Sequence, residues 1–176
     1  WFIVLNGQEG KAYDRIGIGE ITFSPDGNQI AYTAEEGGKW FIVINDQEGK
    51  AYDRIIGEPT FSPDGKQIAY IAREGGKRFI VLNDQEGKAY DLIKEITFSP
   101  DSKQIAYIAE EGGKEFIVIN DQESKAYDKV GEPVFSPDSK QIAYGAEEGG
   151  EWFIVLNGQE GKAYDRIGIG EITFSP

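Results

Sequence analysis

The sequence predicts an all-β chain made of repeated four-stranded sheets, and three observations carry that expectation. A ten-residue stretch, Phe61-Ser62-Pro63-Asp64-Gly65-Lys66-Gln67-Ile68-Ala69-Tyr70, returns nearly letter for letter at Phe23–Tyr32, Phe98–Tyr107 and Phe135–Tyr144, and begins again at Phe174. Short runs of Phe, Ile and Val stand between these copies, bounded by Asn, Asp and Gly, which is the pattern of strands joined by tight turns. The strand-like segments keep their lengths from copy to copy, while a single connector varies.

The first cycle sets the elements in order. Trp1-Phe2-Ile3-Val4-Leu5-Asn6 reads as a buried strand, Gly7-Gln8-Glu9-Gly10 as a turn, and Lys11 to Ile16 as a more polar strand. Gly17 to Gly19 reads as a loop and Glu20 to Ser24 as a third strand, stopped by Pro25-Asp26-Gly27. In that turn Pro presets φ, Asp bonds nearby backbone and Gly takes the positive φ that closes a hairpin. Gln29 to Ala34 is a fourth strand, and Glu35-Glu36-Gly37-Gly38 turns the chain into Trp40, where the cycle restarts.

Phe2, Phe41, Phe79, Phe116 and Phe153 mark one position of the cycle, giving periods of 39, 38, 37 and 37 residues. The repeats are 1–39, 40–77, 78–114 and 115–151 with a partial copy at 152–176, read together as one repeat domain. All length variation falls before the Phe-Ser-Pro motif, at Gly17-Ile18-Gly19, Ile56-Gly57, Lys94 and Gly131. A period near 40 with four strands per unit is the signature of propeller blades. One such sheet cannot cover both of its faces, so neighbours share a continuous core. Residues 152–176 repeat residues 1–25 without a difference, a super-period of 151 residues. Recent amplification and engineering both account for that identity.

The unit Phe-Ser-Pro-Asp-(Gly/Ser)-Lys-Gln-Ile-Ala-Tyr, with its following Phe-Ile-Val-Ile-Asn strand, resembles the repeat of TolB-type, WD-repeat-like β-propellers across essentially the whole chain. The resemblance implies that the Phe-Ser-Pro strand is innermost and lines a central channel. Gln-Ile-Ala-Tyr would follow as the second strand, Phe-Ile-Val as the third and Lys-Ala-Tyr-Asp as the outermost. It implies little about function, since such propellers serve as docking platforms, peptidase gates and enzyme scaffolds alike.

Composition excludes several function classes. Eighteen basic against 31 acidic residues give a net charge of −13, which argues against nucleic acid and anionic membrane surfaces as partners. With no cysteine or histidine, thiolate nucleophiles, zinc-thiolate sites and Ser-His-Asp arrangements are ruled out. No apolar run approaches the roughly 20 residues that span a bilayer. Trp1 in place of Met reads as a processed product, an excerpt or a tag-cleaved chain, and the compartment stays open. No cofactor or phosphate-loop motif is present.

The candidate residues divide into turn-formers and one recurrence of interest. Asp26, Asp64, Asp101 and Asp138 read as turn residues, not catalysts. The pairs Glu35-Glu36, Glu110-Glu111 and Glu147-Glu148 sit at wet hairpin tips that would not tune a pKa. Asn45-Asp46-Gln47-Glu48-Gly49 and its equivalents lack the spacing of a calcium loop and read as polar hairpins with a Gly bulge. Neither a catalytic residue nor a metal ligand set is assigned. Glu20, Glu58, Glu95, Glu132 and Glu171 recur shortly before the motif Phe. On the propeller topology they would ring one channel mouth, as a weak cation or basic-peptide site or simply as a solvated rim.

The function expected is a non-enzymatic scaffold for protein or peptide binding, or for self-assembly, the alternative being an enzyme domain or gate of a propeller hydrolase. The chain reads as four complete blades flanked by partial ones. Bare end faces would expose apolar surface and open strand edges. Two copies joined head to tail, closing a ring of about eight to ten blades, are therefore expected.

Overall fold

The computed structural model describes residues 1–17, 21–165 and 172–175, and no helix occurs among them. The chain divides into two units, Trp1–Ala89 and Tyr90–Pro176. Each consists of antiparallel sheets whose strand order follows the chain.

The first unit opens on a hairpin of β1 (Val4–Leu5) and β2 (Gln8–Glu9). Reciprocal backbone hydrogen bonds between Trp1 and Tyr13 extend it, Tyr13 N–H to Trp1 O at 2.7 Å and the Trp1 amine to Tyr13 O at 2.8 Å. In the first sheet, β3 (Arg15–Ile16) and β4 (Thr22–Phe23) pair with one edge of β5 (Ile30–Glu36), followed by β6 (Lys39–Ile44) and β7 (Gln47–Glu48). The second sheet is β8 (Arg54–Phe61), β9 (Ile68–Glu74), β10 (Lys77–Leu82) and β11 (Gln85–Glu86).

The second unit repeats this plan. Its first sheet is β12 (Leu92–Phe98), β13 (Ile105–Glu111), β14 (Lys114–Ile119) and β15 (Gln122–Glu123). In the next, β16 (Lys129–Val130) and β17 (Val134–Phe135) share an edge of β18 (Ile142–Glu148), with β19 (Glu151–Leu156) and β20 (Gln159–Glu160) beyond.

Two strand boundaries differ from the sequence reading. Lys11 to Ile16 is not one polar strand: Tyr13 closes the opening hairpin, and Arg15–Ile16 already pairs with Glu35 and Ala34 of the next sheet. The division falls at Asp14, whose carboxylate accepts the Gly37 N–H at 2.9 Å and so ties this segment to the β5–β6 turn. In the sheets of β9 and β13 the length-variable residues are likewise not a loop between two strands but a bulge within one edge strand, whereas the sheet of β18 keeps two short strands joined through Gly131. Of Gly17-Ile18-Gly19, Ile18 and Gly19 lie outside the described residues. Ile56 to Thr60 advances four positions while the partner advances two, from Ile71 to Ala69, leaving two extra residues. Lys94 to Thr97 advances three against two, from Ile108 to Ala106, leaving one. The same subtraction gives three extra residues between Ile16 and Thr22 and one between Val130 and Val134. The sequence 3, 2, 1, 1 accounts for the shrinking period, because every other register is kept. Bulges absorb insertions at sheet edges, where unpaired backbone still reaches water.

The Asn-Asp-Gln-Glu-Gly tips are also tighter than expected. Only Asn45 and Asp46 form the turn, both at positive φ (46° and 63°), and Gln47–Glu48 already pairs with Ile44 and Val43. This is the two-residue mirror-image turn that suits the right-handed twist of a hairpin. Asn is placed there by a second task, since Asn45 Oδ1 accepts the Ile30 N–H at 3.0 Å while its own N–H donates to Ile30 O at 3.1 Å. Asn83, Asn120 and Asn157 do the same for Ile68, Ile105 and Ile142.

The core lies between sheets. Period-two alternation puts Ile68, Tyr70 and Ala72 on one face of β9. With Phe79 and Val81 of β10 they pack on Ala31, Ile42 and Tyr52 of the preceding sheet. In the second unit Ile117 and Tyr127 pack the same way against Tyr144, Phe153 and Val155.

Candidate functional site

The polar residues that recur with the period are concentrated where one sheet meets the next. Tyr52, fully buried, stands edge-on to Tyr70 and Phe79, with ring centroids 6.4 and 5.6 Å away. Its hydroxyl donates to Glu86 Oε1 at 3.0 Å, and Lys50 Nζ reaches the same oxygen at 2.6 Å. Burial, then the surrounding tyrosine and glutamate, push the Tyr52 phenol far above its ordinary pKa, so it stays a donor. The Lys50 ammonium and the Tyr52 hydroxyl in turn hold the Glu86 carboxyl below the usual range. Lys11, Tyr13 and Glu48 form the same node, as do Lys125, Tyr127 and Glu160 in the second unit. These nodes were missed in the sequence. Their signal was the recurrence of Lys-Ala-Tyr and of a Gln-Glu one blade later, which becomes meaningful only once the partner sheet is known.

A second recurrent contact is made by the aspartate after that tyrosine. Asp53 pairs with Lys39 at the start of β6 at 2.7 Å and accepts the N–H of Gly75, in the turn of the following sheet, at 3.0 Å. Asp128 does the same for Lys114 and Gly149.

The Ser-Pro-Asp turns behave as the sequence implies. Ser24 Oγ donates to Asp26 Oδ1 at 2.5 Å and accepts the Gln29 N–H at 2.9 Å, while Gly27 takes φ 72°. Successive turns also touch: Gln29 Nε2 donates to Gly65 O at 3.0 Å, and the Asp101 N–H donates to Ser139 Oγ at 3.0 Å. Each paired glutamate has its own surroundings. Glu36 takes Lys11 at 2.8 Å, and Glu35 lies 3.5 Å from Arg15.

Three of the five recurrent glutamates fall within the described residues. Glu58, Glu95 and Glu132 lie exposed beside or within the edge-strand bulges, Glu95 at φ 55°, whereas Glu20 and Glu171 lie outside the described residues. Among the described residues no group of three or more acidic side chains is placed to hold a metal ion. A cavity of about 260 Å³ lies against the opening hairpin, edged by Asn6, Gln8, Glu9, Asn45 and Asp46. Its charged lining residues are the carboxylates of Glu9 and Asp46, with no lysine or arginine beside them.

No family model and no curated protein matches the chain. Solved structures do. TolB from Acinetobacter baumannii matches with TM-score 0.51 at 22% identity, over 90% of this chain and 46% of that one. The β-propeller domain of the Trilobed protease from Pyrococcus furiosus matches with TM-score 0.59 at 17% identity, over 89% of this chain and 59% of that one. The tricorn protease matches with TM-score 0.54 at 17% identity, over 79% of this chain and 16% of that one. The sheets are β-propeller blades. This chain spans about half the length of the first two structures it matches.

The blades at the two ends differ from those between. Phe2 and Val4, on the opening hairpin, are 47% and 56% exposed, whereas their equivalents Phe41 and Val43 are 5% and 0%. Tyr164 of the last blade is 50% exposed and Tyr52 0%. Lys162 lies over the Tyr164 ring at 5.4 Å, as Lys50 lies over Tyr52 at 5.3 Å. The lysine-over-tyrosine arrangement of the internal blades thus recurs at the last one.

Proposed function

We propose that the chain is a non-enzymatic β-propeller scaffold that assembles with a second copy of itself and offers its exposed turns to protein or peptide partners. The observation that carries this reading is the pair of uncovered blade faces, where Phe2, Val4, Leu156 and Tyr164 stay exposed although their internal equivalents are covered. Faces of this kind are interaction surfaces in soluble proteins. The recurrent polar groups support the non-enzymatic part. Ser24 and Asp26 serve a turn, Asp53 ties one blade to the next, and Lys50, Tyr52 and Glu86 lock a joint. A net charge of −13 steers the scaffold toward basic partners.

Native mass spectrometry tests the assembly: the expected mass is twice 19.5 kDa, about 39 kDa. A monodisperse 19.5 kDa species at micromolar concentration would refute it. Because two matched structures bear the name protease, the same preparation is assayed on peptidase, esterase and glycosidase substrates. Turnover above buffer would replace the scaffold reading by that of a hydrolase domain.

A further inference from the structure

We infer that the joint between copies is a specific one: Phe2 and Val4 of one copy seat on Ile154, Leu156 and Tyr164 of the other, and Glu9 receives Lys162 and the Tyr164 hydroxyl. The inference rests on the self-assembly reading above and names the residues that carry it.

The internal joints show what each end face accepts. In the first unit the outgoing face of a blade presents Trp40, Ile42, Ile44 and Tyr52, and the incoming face of the next presents Phe79 and Val81. In the second unit Ile117, Ile119 and Tyr127 meet Phe153 and Val155. The outgoing face of the last blade carries the same types at the same register, Trp152, Ile154, Leu156 and Tyr164. The incoming face of the opening hairpin carries Phe2 and Val4 at the register of Phe79 and Val81. The two end faces are thus the halves of a contact that this sequence already makes internally, so a second copy of this chain is the occupant whose shape each face fits.

Charge selects the same register. Glu48, Glu86 and Glu160 each accept a lysine and a tyrosine hydroxyl from the preceding blade. Glu9 pairs across its hairpin with Val4 exactly as Glu86 pairs with Val81, and no lysine or tyrosine reaches it among the described residues. At the other end, Lys162 and Tyr164 stand together, and among the described residues no carboxylate bridges them. Joining the ends supplies each with its missing member. A heterologous contact of this kind uses two different patches, so two copies make two equivalent joints.

Charge reversal tests the joint without disturbing the fold, since Glu9, Lys162 and Phe2 are all exposed. Sedimentation equilibrium is run on the full chain and on Glu9→Lys, Lys162→Glu and Phe2→Asp. Each variant is expected to weaken association by about tenfold or more, because like charges or a carboxylate face the joint. Mixing Glu9→Lys with Lys162→Glu should restore it, since one joint then pairs Lys with Glu in reverse and the other is native. If the unmodified chain stays at 19.5 kDa, the self-assembly reading fails and the joint with it. Should it associate while all three variants associate equally well, the joint is wrong and self-assembly stands. Failure of the mixture to recover would overturn the pairing of Glu9 with Lys162.

Discussion

The Tyr52 hydroxyl donates to Glu86 Oε1 at 3.0 Å across the joint between two successive blades, while its ring lies edge-on to Phe79 of the receiving blade. One side chain thus supplies both the apolar filling of the joint and its polar latch. The two contributions separate by mutation. Tyr52→Phe keeps the ring packing and leaves Glu86 with Lys50, so it should cost about 1 kcal/mol, the worth of one partly solvated hydrogen bond. Tyr52→Ala empties a buried aromatic site and should cost about 3–5 kcal/mol. Urea unfolding of both variants measures the difference. Equal losses would mean that the latch, not the packing, dominates the joint.

Asp53 offers a comparison between an ion pair and a backbone cap. Its carboxylate meets Lys39 Nζ at 2.7 Å and the Gly75 N–H at 3.0 Å, with both side chains well exposed. Exposed ion pairs contribute about 0–1 kcal/mol. Asp53→Asn keeps an acceptor for Gly75 and should cost less stability than Asp53→Ala, which removes both contacts. The same urea titrations check the order. A larger loss in Asp53→Asn than in Lys39→Ala would assign the stabilisation to charge.

Legibility in the sequence followed distance along the chain. The Ser24-Pro25-Asp26-Gly27 turn was readable because its donors and acceptors lie within five residues of one another. The blade repeat was readable because Phe2, Phe41, Phe79 and their successors recur at a spacing of 37 to 39 residues. The Asp53–Gly75 contact was not, because its partners lie 22 residues apart in different sheets and neither residue type announces the other. The edge-strand bulge was mistaken for a loop for a related reason. Ile55, Ile56 and Thr60 share the partner β9, and pairing is a property of the neighbour, which local composition does not reveal. The exposed end faces were expected from the partial repeats, but the Lys-Tyr-Glu node between blades emerged only from the internal joints.

Stability should fall at both ends of the pH scale. At the acid end, the Ser136 hydroxyl and then the Lys140 N–H hold Asp138 down at about 2, and Ser24 and Ser99 lower Asp26 and Asp101 in the same way. A carboxyl with a lowered folded pKa binds its proton more readily when unfolded. Its contribution is present above the unfolded value near 3.8 and is lost as pH falls toward about 2. At the alkaline end, burial raises Tyr70 and Tyr107 to about 12. The protonated phenol is favoured in the fold, so this contribution is complete below the ordinary value of 10.0 and is lost as pH rises toward about 12. Circular dichroism and phenolate absorbance followed together should show the buried tyrosines ionising as the sheets unfold. Ionisation of all nine tyrosines near pH 10 with the sheets intact would contradict their burial.

Glu95 is the recurrent glutamate whose backbone can be tested separately from its charge. It sits exposed in the β12 bulge at φ 55°, a region that a side chain with Cβ enters at a cost of roughly 1 kcal/mol and that glycine enters freely. Gly57 occupies the corresponding bulge of the preceding repeat at φ 71°. Glu95→Gly should therefore stabilise the chain by about 0.5–1 kcal/mol, whereas Glu58→Gln, which changes charge alone, should be near neutral. The cation reading of these carboxylates makes a different demand. It requires heat on calorimetric titration with millimolar Ca²⁺, and that heat must diminish in both variants. Since no three acidic side chains converge among the described residues, the expected outcome is no heat, with the stability gain of Glu95→Gly unchanged by calcium. Binding that is abolished by Glu58→Gln would reverse this and make the glutamates a site.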